Sequence, residues 1–348
     1  MTVPDATHEH NIPLLHISAG PHIRHGEDVG SLIGSLILSL IPACIAAFII
    51  FGASAFFLIA TTIVSSVCTE SFIQWITKKK QSIRDFSAIA TGLLLALTLP
   101  PHCPLWIAAA GAVFAIALVK MPFGGLGHSL VNPALAGRTF LLISFPAALT
   151  AYSAPLHGSI FGMAHPLDGV TAATPLVYFK NALCTGVFNP LDLQDTLHNL
   201  FWGNVGGSLG ATSTIALFIG AMFLFYKGII RFRISFSFIG TVFILFWIFN
   251  RTGGFFTTEA FIVPMYQIMS GGLMLGAFFM ATDPVTSAIT QNGKILFGIG
   301  CGILTFLFRT FGGFPDGVGF AILLMNISVP LIDRLSRPKR FGEVKKGE

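Results

Sequence analysis

Long apolar runs restrict the fold of this chain more than any other feature. A membrane-crossing helix needs about 20 predominantly apolar residues. Only 10% of the 348 residues are charged, whereas an ordinary soluble domain carries about 25%. We therefore predict an all-α polytopic membrane protein of about ten transmembrane helices. The apolar runs lie near residues 31–52, 54–76, 86–99, 104–119, 132–150, 204–226, 232–250, 259–281, 294–309 and 317–333.

The distribution of basic residues predicts the side of the membrane on which each connection lies. All but four of the 20 Lys and Arg residues fall in alternate connections and in the two termini. Because cytoplasmic loops carry the excess of Lys and Arg, both termini are predicted to be cytoplasmic and the connection 151–203 external. The net charge of +5 thus reflects topology, and no basic patch with interleaved aromatic residues indicates nucleic-acid binding. The four exceptions are Arg138, Lys180, Arg251 and Arg309.

Two short motifs recur at about half the chain length. Gly272-Leu273-Met274-Leu275 follows Gly92-Leu93-Leu94-Leu95 by 180 residues, and Phe311-Gly312-Gly313 follows Phe123-Gly124-Gly125 by 188. A five-helix unit enters the membrane from opposite sides in its two copies. We therefore predict two inverted five-helix repeats with a binding site at their interface. Chance similarity between Gly- and Leu-rich helices is the alternative explanation of either match.

Two of the predicted helices look broken, since one ends at Leu99-Pro100-Pro101 and another at Thr282-Asp283-Pro284. Irregular backbone at membrane depth is tolerated only where protein or a polar cavity satisfies it, so these breaks indicate a binding site. The chain divides into five segments: a cytoplasmic N-terminal segment 1–30, a first repeat 31–150, an external loop 151–203, a second repeat 204–333, and a basic cytoplasmic tail 334–348.

The five cysteines form no CxxC pair and mostly lie in apolar runs. A buried thiol behaves as a small apolar side chain, so we expect no cluster or metal site built from this chain alone. Cys103 and Cys184 both fall in segments predicted to be external. The sequence leaves a disulfide between them open, since its geometry is unknown at this stage.

The external loop contains Asp168-Gly169-Val170-Thr171-Ala172-Ala173-Thr174-Pro175-Leu176. This segment resembles the flavinylation motif D-x-x-[ST]-x-A-T-P-L of the D subunit of the Rnf ferredoxin:NAD+ oxidoreductase complex, and of the related B subunit of the sodium-pumping NADH:quinone reductase. Ala172 departs from the pattern, because Gly is frequent there. The short N-terminus favours the Rnf D subunit. Further signatures of that family follow in order at residues 85–88, 123–127, 132–134, 207–210, 277–286 and 330–333.

The resemblance implies a flavin mononucleotide (FMN) joined through its phosphate to the hydroxyl of Thr174. A tether keeps a cofactor beside its redox partners without depending on affinity. Thr171 carries the competing hydroxyl, and together with Asp168 it would help a flavin transferase recognise the loop. An ordinary Thr-Pro turn is the alternative interpretation of this segment.

The resemblance also implies a second, non-covalent flavin, riboflavin, within the same subunit. Asn132 and Asp283 lie at the cytoplasmic ends of broken segments in opposite halves of the chain, and their amide and carboxylate groups could hydrogen-bond the edge of an isoalloxazine. The alternative is that each residue caps a helix before Pro133 or Pro284.

Two acidic residues border the predicted membrane region and are candidates for the ion pathway. Carboxylates are costly inside a membrane, so Glu70 and Asp333 are functional candidates by default, and the resemblance places them at positions linked to cation uptake. Either could bind a sodium ion or carry a proton. The alternative is an interfacial carboxylate paired with Lys78 or Arg334.

Together these features predict a flavin-carrying subunit of a redox-driven ion pump in a bacterial inner membrane. It would relay electrons between the ferredoxin-side and NAD-side subunits of an Rnf-type complex and couple this transfer to movement of Na+ or H+. No dinucleotide loop or catalytic residue is predicted in this chain, since its glycines lie in apolar helices. A passive channel or transporter for a small polar solute is the rival, because inverted repeats with broken helices serve both functions.

Overall fold

The computed structural model describes residues 29–78, 82, 85–152, 174–185, 190–249, 258–314 and 316–337, with the side chains of 181–195 and 258–260 excepted. Within these residues the chain is helical and has no strand. Five helices are long and apolar enough to cross a membrane, or six when one bent pair is taken as a single span. The prediction of an all-α polytopic membrane protein is confirmed to this extent, while ten spans and inverted repeats stay predictions.

The first half of the chain forms six helices. A left-handed glycine, Gly52 with φ 67°, separates the two longest of them. Pro146 lacks an amide hydrogen and divides the predicted helix 132–150 into two. The helices are α1 Val29–Phe51, α2 Ala53–Ile76, α3 Ser87–Thr98, α4 Leu105–Phe114 continued by a π-helical segment Ala115–Lys120, α5 Pro133–Ser144 and α6 Pro146–Thr150.

Eight helices follow, and two of them lie in the connection 151–203 that the sequence predicts to be a loop. Both of these begin with proline, which suits the first position of a helix. The predicted helix 204–226 begins only at residue 214. The helices are α7 Pro175–Thr185, α8 Pro190–Trp202, α9 Thr214–Tyr226, α10 Phe232–Phe249, α11 Thr258–Met269, α12 Leu273–Leu275 continued by a π-helical segment Gly276–Met280, α13 Gln291–Phe311 and α14 Val318–Leu335.

The predicted helix 259–281 is broken in its interior as well as at its end. α11 and α12 meet at an angle of 69°. The break lies at Gly271, whose φ of 67° is left-handed and favours glycine. From the sequence a break is predicted only at 282–284, because a glycine within an apolar run does not by itself announce a bend.

Helices pack in the same order in both halves of the chain. α2 packs against α3 and α4, and α10 packs against α11 and α13. α4 then packs against α5, and α13 against α14, while α1 and α9 pack against each other. The outer faces keep large apolar side chains exposed, including Ile49, Phe72 and Trp75. Such extensive exposed apolar surface suits contact with lipid.

The structure describes only one of the two thiols of the disulfide that the sequence leaves open between Cys103 and Cys184. Cys103 is buried with a free thiol, and the side chain of Cys184 lies outside the described residues.

Candidate functional site

A cavity of about 460 Å³ lies where α1, α3 and the π-helical segment after α4 meet the start of α5 and the chain after Met280. Its walls are mainly apolar, and Asn132 and Asp283 both line it. The two halves of the chain thus bring together the residues predicted to hold the second flavin. Ligand pockets commonly measure about 300 to 1,000 Å³ and combine apolar walls with a few polar groups. The other polar lining side chains include Ser87, Thr91 and Lys120.

Asn132 caps α5 and contacts the second half of the chain. Its Oδ1 accepts hydrogen bonds from the backbone amides of Ala134 (3.0 Å) and Leu135 (3.4 Å). Its Nδ2 donates to the carbonyl of Met280 at 3.5 Å. The helix cap that the sequence left as an alternative is therefore present, on a side chain that also lines the large cavity.

Asp283 shapes the turn that ends the second broken helix. Its Oδ1 accepts from the backbone amide of Val285 at 3.1 Å, and its Oδ2 accepts from the hydroxyl of Thr286 at 3.3 Å. A carboxylate that bonds the amide two residues ahead forms a local turn. Asp283 thus has a structural role and, like Asn132, also lines the cavity.

Glu70 pairs with a lysine that lies 50 residues away in the sequence. Its Oε2 lies 2.6 Å from Nζ of Lys120, and both side chains are 3% exposed. Lys120 Nζ also donates to Oγ of Ser87 at 2.7 Å. The partner suggested by the sequence was Lys78, and Lys120 was assigned to a cytoplasmic connection. The packing of α4 on α2 instead buries Lys120 between α2 and the large cavity.

The buried face of α2 carries a row of polar side chains at intervals of four residues. Thr62, Ser66, Glu70 and Gln74 are all less than 5% exposed. Gln74 and Ser82 bond each other, and both donate to Oε1 of Glu70, at 3.2 and 2.9 Å. Oγ of Ser66 is buried without a hydrogen-bond partner. A polar row therefore continues from Glu70 into the helix bundle.

Asp333 accepts hydrogen bonds from the chain that leads into α13. Its Oδ1 bonds the backbone amides of Ile289 (3.0 Å) and Thr290 (3.2 Å). The hydroxyl of Thr290 also donates to this oxygen, at 3.4 Å. These bonds anchor the end of α14 to the start of α13. The side chain is only partly buried, so it remains accessible at this end of the bundle.

Thr174 caps α7. Its Oγ1 accepts from the amide of Val177 at 3.4 Å, and its carbonyl accepts from the amide of Tyr178 at 3.0 Å. The residue borders a small cavity of about 30 Å³, which Gly207 and Asp316 also line. The companion residues Asp168 and Thr171 lie outside the described residues.

Two contacts dock the residues after Thr174 onto the break between α11 and α12. The fully buried Tyr266 donates its hydroxyl to the carbonyl of Pro175 at 2.5 Å. Leu176 is 5% exposed and packs against Gly271, where an added Cβ would lie 2.6 Å from Cδ1 of Leu176. The left-handed glycine thus leaves room for this leucine. Tyr266 is not among the residues predicted from the sequence, since nothing local to it indicates the contact.

A buried arginine also lies at this break. Arg309 donates to the carbonyls of Gln267 and Ser270, and its guanidinium lies 3.7 Å from the carboxylate of Asp316. Asp316 in turn accepts from the amide of Gly272 at 3.2 Å. The arginine therefore satisfies carbonyls that the broken helix leaves unpaired. Its place within an apolar run was the signal that could have identified it.

Comparison with known proteins shows similarity along nearly the whole chain. The family model described as "NQR2, RnfD, RnfE family" matches residues 16–342. The D subunit of the Na(+)-translocating ferredoxin:NAD(+) oxidoreductase complex of Acetobacterium woodii is 40% identical over 95% of this chain and 96% of the relative. The D subunit of the proton-translocating ferredoxin:NAD(+) oxidoreductase complex of Clostridium ljungdahlii is 42% identical over 94% of this chain and 96% of the relative. The D subunit of the ion-translocating oxidoreductase complex of Cronobacter sakazakii is 34% identical over 94% of this chain and 98% of the relative.

Proposed function

This chain belongs to the NQR2, RnfD, RnfE family, and on that premise we propose that it is the D subunit of an ion-translocating ferredoxin:NAD(+) oxidoreductase complex. The observation that carries this proposal is the near full-length similarity to D subunits of such complexes. A D subunit acts with the other subunits of its complex, so ferredoxin and NAD are bound elsewhere. The transported ion is Na+ or H+, since relatives of both kinds are similar to this chain.

We propose that Thr174 carries a covalent FMN. Its hydroxyl borders a cavity and lies at the first turn of an 11-residue helix, where the helix dipole favours a negatively charged phosphodiester. The cavity of about 30 Å³ has room for a phosphate oxygen or a water, so the flavin ring would lie outside it. When bound, the flavin supplies the electron-transfer chemistry, which no side chain of this protein provides.

The large cavity is the proposed site of riboflavin. Its volume of about 460 Å³ and its apolar walls suit a flat aromatic ring. Asp283 retains unused acceptor capacity, because each of its carboxylate oxygens has two lone pairs and accepts one hydrogen bond, and Asn132 retains one amide hydrogen beside the one donated to Met280. They would orient the ring, while the apolar side chains of α1 and α3 exclude water.

The inverted repeat is supported by two buried cations. Lys120 ends the fourth helix of the first half, and Arg309 lies in the last turn of α13, the corresponding helix of the second half. Lys120 bonds Ser87, and Arg309 bonds Gln267. Gln267 follows Ser87 by 180 residues, as Gly272 follows Gly92. Lys120 and Arg309, at the ends of corresponding helices, thus bond residues at corresponding positions, Ser87 and Gln267. This is expected if two copies of a five-helix unit make up ten membrane segments.

We propose a bacterial inner-membrane location with both termini in the cytoplasm and Thr174 on the external side. The basic connections support this orientation. The large cavity would then face the cytoplasm. The channel alternative loses support, because the named relatives are oxidoreductase subunits along nearly their whole length.

The experiment that tests the flavin role is mass spectrometry of the complex from a strain that has a flavin transferase. A peptide containing Thr174 should gain the mass of one FMN less water, with fragment ions placing the addition on that residue. T174A should lose the ultraviolet-fluorescent band on a denaturing gel, whereas the matched control T171A should retain some label. Because one external hydroxyl contributes little to a helix bundle, T174A should still insert in the membrane. An unmodified wild-type peptide, or a fluorescent T174A band, would contradict the proposal.

A further inference from the structure

We propose that Lys120 is a tethered cation that couples the large cavity to Glu70. Its ammonium neutralises Glu70 when the cavity occupant is oxidised and turns to the occupant when that occupant gains negative charge. Glu70 then takes up a cation in its place. This inference rests on the proposed function, because it takes the occupant to be a redox group.

Lys120 lies between Glu70 and the large cavity, so its ammonium can reach either one. Its Nζ contacts Oε2 of Glu70 on one side, and the residue lines the large cavity on the other. An ammonium has three hydrogens, and the contacts with Glu70 and Ser87 use two of them. The third remains for the cavity. Because the side chain is long and its charge compact, it can change partners without a movement of the helix.

Because Glu70 and Lys120 are both buried, Glu70 must bind another cation whenever the ammonium of Lys120 turns away. Removing one partner of a buried ion pair is strongly destabilising, because a bare charge remains in a low-dielectric environment. Glu70 is 3% exposed and therefore needs a cation whenever Lys120 leaves. Each electron that arrives from the ferredoxin side adds one negative charge, and Lys120 compensates it. One Na+ binds at Glu70, or one H+ forms an O–H bond on its carboxylate, and oxidation by the NAD side reverses both steps.

The surroundings of Glu70 suit a small hard cation. Carboxylate, hydroxyl and amide oxygens are its preferred ligands. The hydroxyl of Ser82 contacts Glu70 toward the end of α2, and Ser66 supplies an unpartnered buried hydroxyl one turn further into the bundle. The corresponding face of α10 differs, since Phe238, Val242 and Phe246 are buried there. Among the described residues, the polar row on α2 thus has no counterpart at these three positions of α10.

The first test measures thermal unfolding of the purified complex in its oxidised state. Na+ is varied at constant ionic strength with choline chloride, and pH is varied separately. K120Q leaves Glu70 without its ammonium, so Na+ or protons should stabilise this variant at concentrations about 5- to 150-fold lower than for wild type, the usual range for coupled sites. K120R should resemble wild type, and the matched double variant E70Q/K120Q should show no such stabilisation. Equal cation dependence in wild type and K120Q, or in K120Q and the double variant, would overturn the inference.

The second test needs no lysine variant and therefore stands if K120Q fails to assemble. Reducing the wild-type complex with dithionite should produce a cation-specific stabilisation that E70Q lacks. A reduced wild type with the same cation dependence as the oxidised one would overturn the coupling. Riboflavin extracted from the same preparations separates the two proposals. Absence of riboflavin contradicts the proposed occupant, whereas the oxidised-state comparison of K120Q with its double variant still decides whether Glu70 exchanges Lys120 for a cation.

Discussion

Tyr266 shows how a single buried hydroxyl can position the residue that we propose to be modified, Thr174. It bonds the carbonyl directly after Thr174 and contacts Phe179 on α7. Its own helix ends at the break that receives Leu176. Thr174 therefore starts a helix that is already docked, and its hydroxyl is held in one place relative to the bundle.

We predict that Tyr266→Phe slows flavin attachment to Thr174 without preventing membrane insertion. The substitution leaves the carbonyl of Pro175 without its donor, and an unsatisfied buried polar group costs about 1–3 kcal/mol. That energy favours release of the start of α7, so in-gel flavin fluorescence should develop more slowly at equal protein level. Tyr226→Phe is the matched control, because Tyr226 is 92% exposed. Equal labelling rates for the two variants would show that the hydroxyl of Tyr266 does not position Thr174 for flavin attachment.

Local chemistry predicted some residue roles but not the partners that come from distant parts of the chain. The Asn-Pro pair at residue 132 indicated a helix cap, since both residues act on the turn they begin. The lysine that pairs with Glu70 was wrongly sought nearby, because the fold alone brings Lys120 across 50 residues. Likewise, no sequence pattern connects Tyr266 with Pro175.

Apolar runs located most helices closely but missed those of mixed composition. α2 and α3 begin and end within one or two residues of their predicted ends. α8, by contrast, has acidic, amide and histidine side chains among its apolar ones, so a search for continuous apolar runs does not detect it. The π-helical ends of α4 and α12 were also not predicted, since a shift in hydrogen-bond register has no simple sequence signal.

The close contact between α2 and α3 leads to a prediction about Gly92. A Cβ at this position would lie 2.8 Å from the carbonyl oxygen of Thr62 and 2.9 Å from Oγ of Ser66. Gly92→Ala should therefore push apart the helices that enclose the polar row and lower stability by about 1–3 kcal/mol, as overpacking does. Gly34→Ala is the control, because no atom lies within 4 Å of its added Cβ. Thermal unfolding of the complex in detergent measures the stability of both variants. Equal midpoint temperatures for Gly92→Ala and Gly34→Ala would show that α2 and α3 can move apart at no cost.

At the scale of the whole molecule, helix length explains why ten spans do not follow from the fold alone. α3 has 12 residues, which at about 1.5 Å per residue cover roughly 18 Å of a hydrocarbon core about 30 Å thick. α4 with its π-helical segment is also shorter than a full span. Two short helices joined at Pro100 and Pro101 either cross a thinned membrane in succession or enter and leave on one side.

Labelling with a membrane-impermeant maleimide on intact cells decides between these arrangements. The ten-span orientation places the connection between α3 and α4 outside, so His102→Cys, at an exposed position, should be labelled without permeabilisation. Lys180→Cys, in the helix that follows Thr174, should behave in the same way. Lys227→Cys should require permeabilisation, because its connection is predicted to be cytoplasmic.

Each position tests a separate part of the topology. All five native cysteines, including the exposed Cys68, are first replaced by serine, so that the added cysteine reports alone. Labelling of Lys180→Cys only after permeabilisation would place α7 in the cytoplasm and remove the external flavin. If His102→Cys alone stays unlabelled in intact cells, α3 and α4 form a re-entrant pair that does not reach the outer surface. The connection between α3 and α4 would then lie within the membrane, and it could not form the external end of an ion path.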